Sequence, residues 1–240
     1  MRYLLLFLLP LLLLQPSLRA ESETCQTAAK YGSITALPES SPYILAAPHG
    51  IFDKHTGLLA SQLCQDLKWN CLIARGQRTE KQPINVNRPT EGVHLPSEQE
   101  SHTPRAKAVF DCYQSHLLAL KRDRFKLYIE LHGNARVESQ GQIEIASVGL
   151  TPTQAQTIKV IFMDALKQTG LSPRLKIAMQ DLDPLHFNHS GAKKWGVFQA
   201  TQPVLALEIP AWARKDPTAR SALTKALALS FAELERRQLP

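Results

Sequence analysis

The chain has 240 residues and carries 28 Lys and Arg against 21 Asp and Glu, a formal charge of +7. That surplus suits an anionic small substrate or attraction to an acidic cell envelope. It argues against a nucleic-acid partner, because no Lys/Arg run with interleaved aromatic residues accompanies it. There is no internal repeat and no low-complexity segment.

Residues 1–20 read as a secretory signal peptide: Arg2 gives a positive start, Tyr3 to Leu14 are apolar apart from Pro10, and Leu18-Arg19-Ala20 offers a cleavage site. The apolar stretch falls short of the ~20 residues that span a bilayer. Ser22, Glu23 and Thr24 before Cys25 do not suit a lipid anchor. The mature protein is therefore expected to be soluble, exported to the periplasm or secreted, and without a stable membrane anchor. Cleavage removes Arg2 and Arg19 and no acid, so the charge falls from +7 to +5. Residues 21–240 have the length of a single α/β domain with a full core. Cys25, Cys64, Cys71 and Cys112 then meet an oxidising compartment, where one or two disulfides are the default. All three full pairings remain open, as do free core thiols at Cys64 and Cys71.

Along the mature chain, strand and helix patterns alternate. Tyr43 to Ala47 is a short apolar run ending at Pro48, as a buried strand does. Thr56 can cap a helix whose Leu59, Leu63 and Leu67 recur at helical spacing, ending near Lys68. Asn70 to Ala74 is the next strand. Gly76 to His102 has little periodicity and reads as a long loop, a length that is usually functional or disordered. A helix follows from Thr103 to Arg122, then strands at Phe125 to Leu131 and Ile143 to Val148. Pro152 opens a helix that Gly170 closes. Leu175 to Met179 and Val204 to Ile209 are further strands, and a last helix runs from about Pro217 to Arg237. The expected fold is a single-domain α/β structure with a mixed, mainly parallel twisted sheet and helices on both faces.

In such sheets sites gather at the carboxyl edge of the strands. His49 and Asp53, in Pro48-His49-Gly50-Ile51-Phe52-Asp53, follow the first of these strands and can hold a zinc ion if a second histidine joins them. His132 follows Phe125 to Leu131, and Glu208 ends a strand that is otherwise apolar. A carboxylate placed there carries a desolvation cost unless something positive or protonated meets it. This residue set suits amide hydrolysis, with Glu208 as the carboxylate that moves the proton. In the long loop, Asn87 and Arg88 can hold a substrate carboxylate through a guanidinium fork and an amide. Glu130 alternates onto the side of His132, where it either bonds the imidazole or faces the surface. His189, in the stretch Asp181 to Gly196 with Lys193 and Lys194, can donate to a developing oxyanion. That stretch can equally be a solvated basic loop anchored by Trp195.

Taken together, Pro48-His49-Gly50 with Asp53, Asn87-Arg88, Glu130-Leu131-His132-Gly133 and Leu207-Glu208 resembles the N-formylglutamate amidohydrolase group of the zinc-carboxypeptidase-like superfamily. Poly-γ-glutamate hydrolases are similar in their Pro-His-Gly segment. The resemblance spans roughly Tyr43 to Trp212. It implies one zinc ion on His49, Asp53 and His132, Glu208 as general base and acid, and Arg88 with Asn87 as the clamp on the substrate's carboxylate. The familiar spacing is His-x-x-Glu, whereas this chain has His49-x-x-x-Asp53, so His55 stands as a substitute for the acidic ligand. The expected substrate is a small acidic acyl-amino acid or a short peptide. The alternatives are a zinc carboxypeptidase acting on cell-wall or other peptides, and a non-catalytic envelope binding protein on the same fold.

Overall fold

The structure, a computed structural model, describes residues 23–121 and 125–239. The expected leader of residues 1–20 lies outside the described residues. Short α1 (Glu23–Ala29) precedes β1 (Ser33–Leu37), β2 (Tyr43–Ala47), α2 (Thr56–Leu67) and β3 (Asn70–Arg75). After a long connection come α3 (Pro104–Leu120), β4 (Leu127–Asn134), β5 (Gln142–Val148), α4 (Pro152–Gln168) and β6 (Lys176–Met179). The chain ends with α5 (Ser190–Trp195), β7 (Val204–Pro210), α6 (Ala211–Lys215) and α7 (Pro217–Arg236).

The strands form one seven-stranded sheet in the order β1-β3-β2-β4-β7-β5-β6. Pairing is parallel for β3-β2, β2-β4, β4-β7 and β5-β6, and antiparallel for β1-β3 and β7-β5. The sheet is thus mixed and mainly parallel. Its central strands β2, β4 and β7 lie side by side and end at the same edge.

Alternation along these strands sorts the side chains between two layers. Leu45, Ile73, Ile129, Leu131, Leu207 and Ile209 face α2, α4 and α7, where Leu63, Phe162, Leu227 and Phe231 meet them. Ile44, Ala46, Leu72, Tyr128 and Ala206 face Val109, Tyr113 and Leu117 of α3. Glu130 and His132 share the parity of Tyr128, and Glu208 shares that of Ala206, so these polar groups enter the α3 side. Three helices start on proline with a side-chain cap: Thr103 accepts from Ala106 N, Asp216 from Ala219 N, and Thr151 forms a capping box with Gln154.

Several expectations need correction. Strand β4 runs on to Asn134, so His132 lies within the strand and not beyond it. Thr56 does not cap α2; that place belongs to His55 in the left-handed region at φ 71°, and the Thr56 hydroxyl is buried without a partner. The 76–102 segment is not featureless, for it holds a 3-10 turn at Ser97–Gln99 and bridges pairing Arg78 with Pro83, Ile84 with Glu91, and Glu91 with Ser101. Strand β1 and the short helices α1, α5 and α6 have no counterpart among the elements expected from the sequence. Strand β1 alternates between exposed and half-buried positions at the sheet's edge, and the three helices have seven residues or fewer.

All four cysteines are paired, Cys25 with Cys112 and Cys64 with Cys71. Two disulfides suit an oxidising, extracytoplasmic environment. Among the described residues no helix is long and apolar enough to cross a membrane. The first disulfide closes a separation of 87 residues and ties α1 to α3; the second closes a separation of 7. Loop-closure entropy predicts a loss of about 4–5 kcal/mol for Cys25→Ala with Cys112→Ala, and about 2.5 kcal/mol for Cys64→Ala with Cys71→Ala. Urea unfolding of the two double variants, read by circular dichroism, checks that order.

Candidate metal centre

The site begins with a single helical turn. Asp53 N donates to His49 O at 2.9 Å, and residues four apart on such a turn face the same way. His49 Nδ1 accordingly lies 3.3 Å from Asp53 Oδ2. Gly50 allows the turn to sit tightly: a Cβ there would fall 2.9 Å from Ala74 O. From β4, His132 brings Nδ1 to 3.8 Å from the same Asp53 oxygen. The three residues are buried, and one donor atom from each lies within 4.8 Å of the others.

The hydrogen bonding of His132 and the neutral ring of His49 suit metal ligands, while Asp53 and His132 would each have to give up a proton more readily than their surroundings favour. Glu130 Oε2 is 2.7 Å from His132 Nε2. A carboxylate accepts, so Nε2 carries a proton, and Nδ1, the nitrogen on the Asp53 side, is the one that can serve a metal once deprotonated. Burial pushes His49 well below its ordinary value, with Arg78 adding to the effect, so its ring is neutral. Burial raises Asp53, against the pull of His132 and Arg78. For His132 burial acts downward, but the hydrogen bond and charge of Glu130 outweigh it and the value is raised. Two imidazoles and one carboxylate converging without a lysine or arginine bonded to them match a zinc donor set with a position left open. His132 also belongs to a second group of potential ligands, with His189 and Glu208, and His55 is in neither; its charged neighbours are Arg220, Arg214, Lys54 and Lys215. A further group, Cys25, Cys112 and His116, has both sulfurs in the disulfide.

Glu208 is the register partner of His132 across β4 and β7. It is 7% exposed, and its Oε1 lies 3.2 Å from His189 Nε2. The His189 ring is 4.6 Å from that of His132, and burial, followed by the charge of His132, lowers its pKa. His189 holds the left-handed region at φ 56°, where an L-residue carries a cost of about 1 kcal/mol. The neighbouring lysines turn elsewhere: Lys193 bonds Gln180, and Lys194 lies over the Trp195 ring.

Asn87 and Arg88 reach the site but are already engaged. Arg88 donates from Nε and Nη2 to the two oxygens of Glu100 at 2.7 and 2.5 Å, and from Nη1 to Asn87 Oδ1 at 3.2 Å. Asn87 Nδ2 donates to Glu130 Oε2 at 2.8 Å. In this arrangement a substrate carboxylate reaches the Nε and Nη2 side of Arg88 only by displacing Glu100.

Two arginines that the sequence did not single out belong to the site. Arg78 follows β3 by three residues, lies over the Phe52 ring at 5.3 Å, and has a buried Nη1 without a hydrogen-bond partner. Burial lowers its pKa, as does Arg88, while Asp53, Glu100 and Glu208 act the other way. The rule of strand carboxyl ends pointed to this position, yet nothing local separates Arg78 from Arg75. Arg214, buried on α6, bonds only backbone carbonyls: Ile209 O at 3.0 Å, Lys54 O, and Asn134 O at 3.5 Å. It therefore joins the chain beside Asp53, the end of β4 and the end of β7.

Gly133 leaves room for that guanidinium, since a Cβ there would sit 2.2 Å from Arg214 Cζ. Gly133→Ala is expected to cost about 1–3 kcal/mol of stability through this clash. Urea unfolding of the metal-free variant against the parent protein checks the figure.

No protein-family model matches this chain, and no curated protein matches it in sequence. Solved structures share its fold. A bacteriophage poly-gamma-glutamate hydrolase is 13% identical, with 88% of this chain and 91% of that one covered and a TM-score of 0.50. The zinc-free apo form of YNDL is 14% identical over 85% of this chain and 90% of its own, with a TM-score of 0.50. Gene product Atu2144 from Agrobacterium tumefaciens is 12% identical over 88% and 98%, with a TM-score of 0.51. At these identities the likeness is one of fold.

Proposed function

We propose that this chain is an exported zinc-dependent amidohydrolase that cuts an amide bond next to a carboxylate, in an N-acyl amino acid or a short peptide. The observation that carries the reading is the convergence of His49, Asp53 and His132 at the sheet edge, one donor atom from each within 4.8 Å of the others, with Glu208 beside His132. The fold shared with a poly-gamma-glutamate hydrolase, a protein named for cleaving a polymer of an acidic amino acid, supports it. A zinc ion held by these three residues would polarise the scissile carbonyl and acidify the attacking water.

Glu208 takes the proton from the attacking water and delivers it to the leaving nitrogen. His189 is neutral, and its Nε2 lies 3.2 Å from Glu208 Oε1 without a hydrogen-bond partner; we assign its single N–H to the oxyanion as it forms. Arg78 is the anchor we assign to the substrate's carboxylate. An arginine with a buried, unpaired nitrogen at the edge of a metal cluster is a charge awaiting a counter-ion. Arg88, whose Nε and Nη2 are held by Glu100, is the weaker candidate for that anchor.

Purified mature protein is expected to hold about one equivalent of zinc by elemental analysis; less than about half, with no gain on reconstitution, removes the metal from the reading. Glu208→Gln should retain the metal and lose turnover by about 10³-fold on an acyl-amino-acid substrate. Unchanged turnover takes Glu208 out of the mechanism. Arg78→Met should raise KM for a carboxylate-bearing substrate by about 10- to 100-fold, the worth of a charge-assisted hydrogen bond. Steady-state kinetics on formylglutamate and on short γ- and α-linked peptides measures both effects.

A further inference from the structure

We infer that Asn87 is a positioning residue for His132, and that the chain Glu100–Arg88–Asn87–Glu130–His132 couples the packing of the 76–102 segment to the affinity of the metal centre. The inference rests on the zinc reading above and concerns residues that touch no ligand atom.

The links are continuous. Thr90 Oγ1 donates to Glu100 Oε2 at 2.7 Å, and Glu100 takes the Nε and Nη2 protons of Arg88. Arg88 Nη1 donates to Asn87 Oδ1, and Asn87 Nδ2 donates to Glu130 Oε2. That same oxygen accepts from His132 Nε2. The other Glu130 oxygen takes the Tyr128 hydroxyl at 2.6 Å, which lies 2.9 Å from the Tyr113 hydroxyl. Asn87, Glu130 and Tyr128 are wholly buried, and the side chains of His132 and Glu100 almost so. Water therefore does not stand in easily for a lost link, and each bond polarises the next.

The asparagine amide suits this place chemically. It gives Glu130 a donor from its nitrogen and Arg88 an acceptor from its oxygen, two separate atoms, where a serine or threonine hydroxyl would have to meet both partners at one atom. An aspartate would keep the acceptor but set a second carboxylate against Glu130. The segment is tied in elsewhere too: Val197 N donates to Asn87 O, and the Ser97 and Ser190 hydroxyls are 2.9 Å apart. Glu100 thus stands at the far end of a path that reaches the metal ligand without contacting it. If zinc tightens the hold of His132 on Glu130, linkage requires that an ordered 76–102 segment tighten zinc by the same factor.

The test uses Asn87→Asp and Glu100→Gln in the full mature protein, freed of metal and titrated with zinc against a chromophoric chelator. Thermal unfolding of each metal-free form and amide exchange over residues 84–100, with and without zinc, accompany the titration. Asn87→Asp is expected to bind zinc about 10- to 100-fold more weakly, the usual range for partners of a ligating histidine. Glu100→Gln, remote from the ligands, should bind roughly three- to ten-fold more weakly. Zinc should slow exchange over 84–100 in the parent protein and lose that effect in Glu100→Gln. Should Asn87→Asp fail to fold, Glu100→Gln decides alone. A Glu100→Gln form that melts earlier yet binds zinc like the parent shows packing only and overturns the inference. A parent protein that binds no zinc overturns the metal reading and the inference with it.

Discussion

The centre depends on a carboxylate that is not itself a ligand. Glu130 has no exposed surface, and burial alone would raise its pKa, yet hydrogen bonds from His132, Tyr128 and Asn87 outweigh burial and hold it below the ordinary range. A buried carboxylate short of donors costs several kcal/mol, so the three donors and the acid stabilise one another. One oxygen of that acid serves both His132 and Asn87. The angle of the imidazole and the seat of the long connection are therefore set at a single atom. The sheet makes this possible because Tyr128, Glu130 and His132 alternate onto one face while Ile129 and Leu131 fill the core behind them.

The cations around the centre solve burial in two different ways. Arg214 gives its donors to three backbone carbonyls, so its charge is spread over the ends of three segments and has no carboxylate bonded to it. Asp53 and Glu208 are near enough to favour its charged form but remain free of a direct bond. Arg78 makes no such set of bonds. The first arginine is complete and fixes geometry. The second keeps a buried Nη1 without a partner, which is the ground for proposing it as the substrate anchor.

Much of the architecture was legible because the sequence states it locally. Pro152 after Thr151 and Pro104 after Thr103 mark helix starts, and apolar spacing marks the faces that Leu59, Leu63, Phe162 and Phe231 bury. His49, His132 and Glu208 stood out because polar groups at the carboxyl ends of apolar strands have few structural uses. What stayed hidden depends on contacts remote in sequence. Nothing around Arg214 announces carbonyl partners at positions 54, 134 and 209. Arg88 and Glu100 lie in a polar stretch where any acid could pair with any base. Strand β4 outran its expected end because His132, Gly133 and Asn134 look like a turn; pairing with Glu208, Ile209 and Pro210 keeps them extended.

The spacing of His49 and Asp53 bears on both the candidate metal cluster and the anchor proposed at Arg78. With the familiar His-x-x-Glu spacing, the acid would stand at position 52. Here a full helical turn separates His49 from Asp53, and the shorter aspartate side chain still brings its oxygen to 3.3 Å from the His49 nitrogen. Position 52 holds phenylalanine. Its ring lies beneath the Arg78 guanidinium at 5.3 Å and 6.0 Å from the His94 ring. A guanidinium over an aromatic face keeps its in-plane N–H donors available for a carboxylate. One additional residue in the turn thus accounts both for the departure at Asp53 and for an arginine held at the rim with a donor to spare.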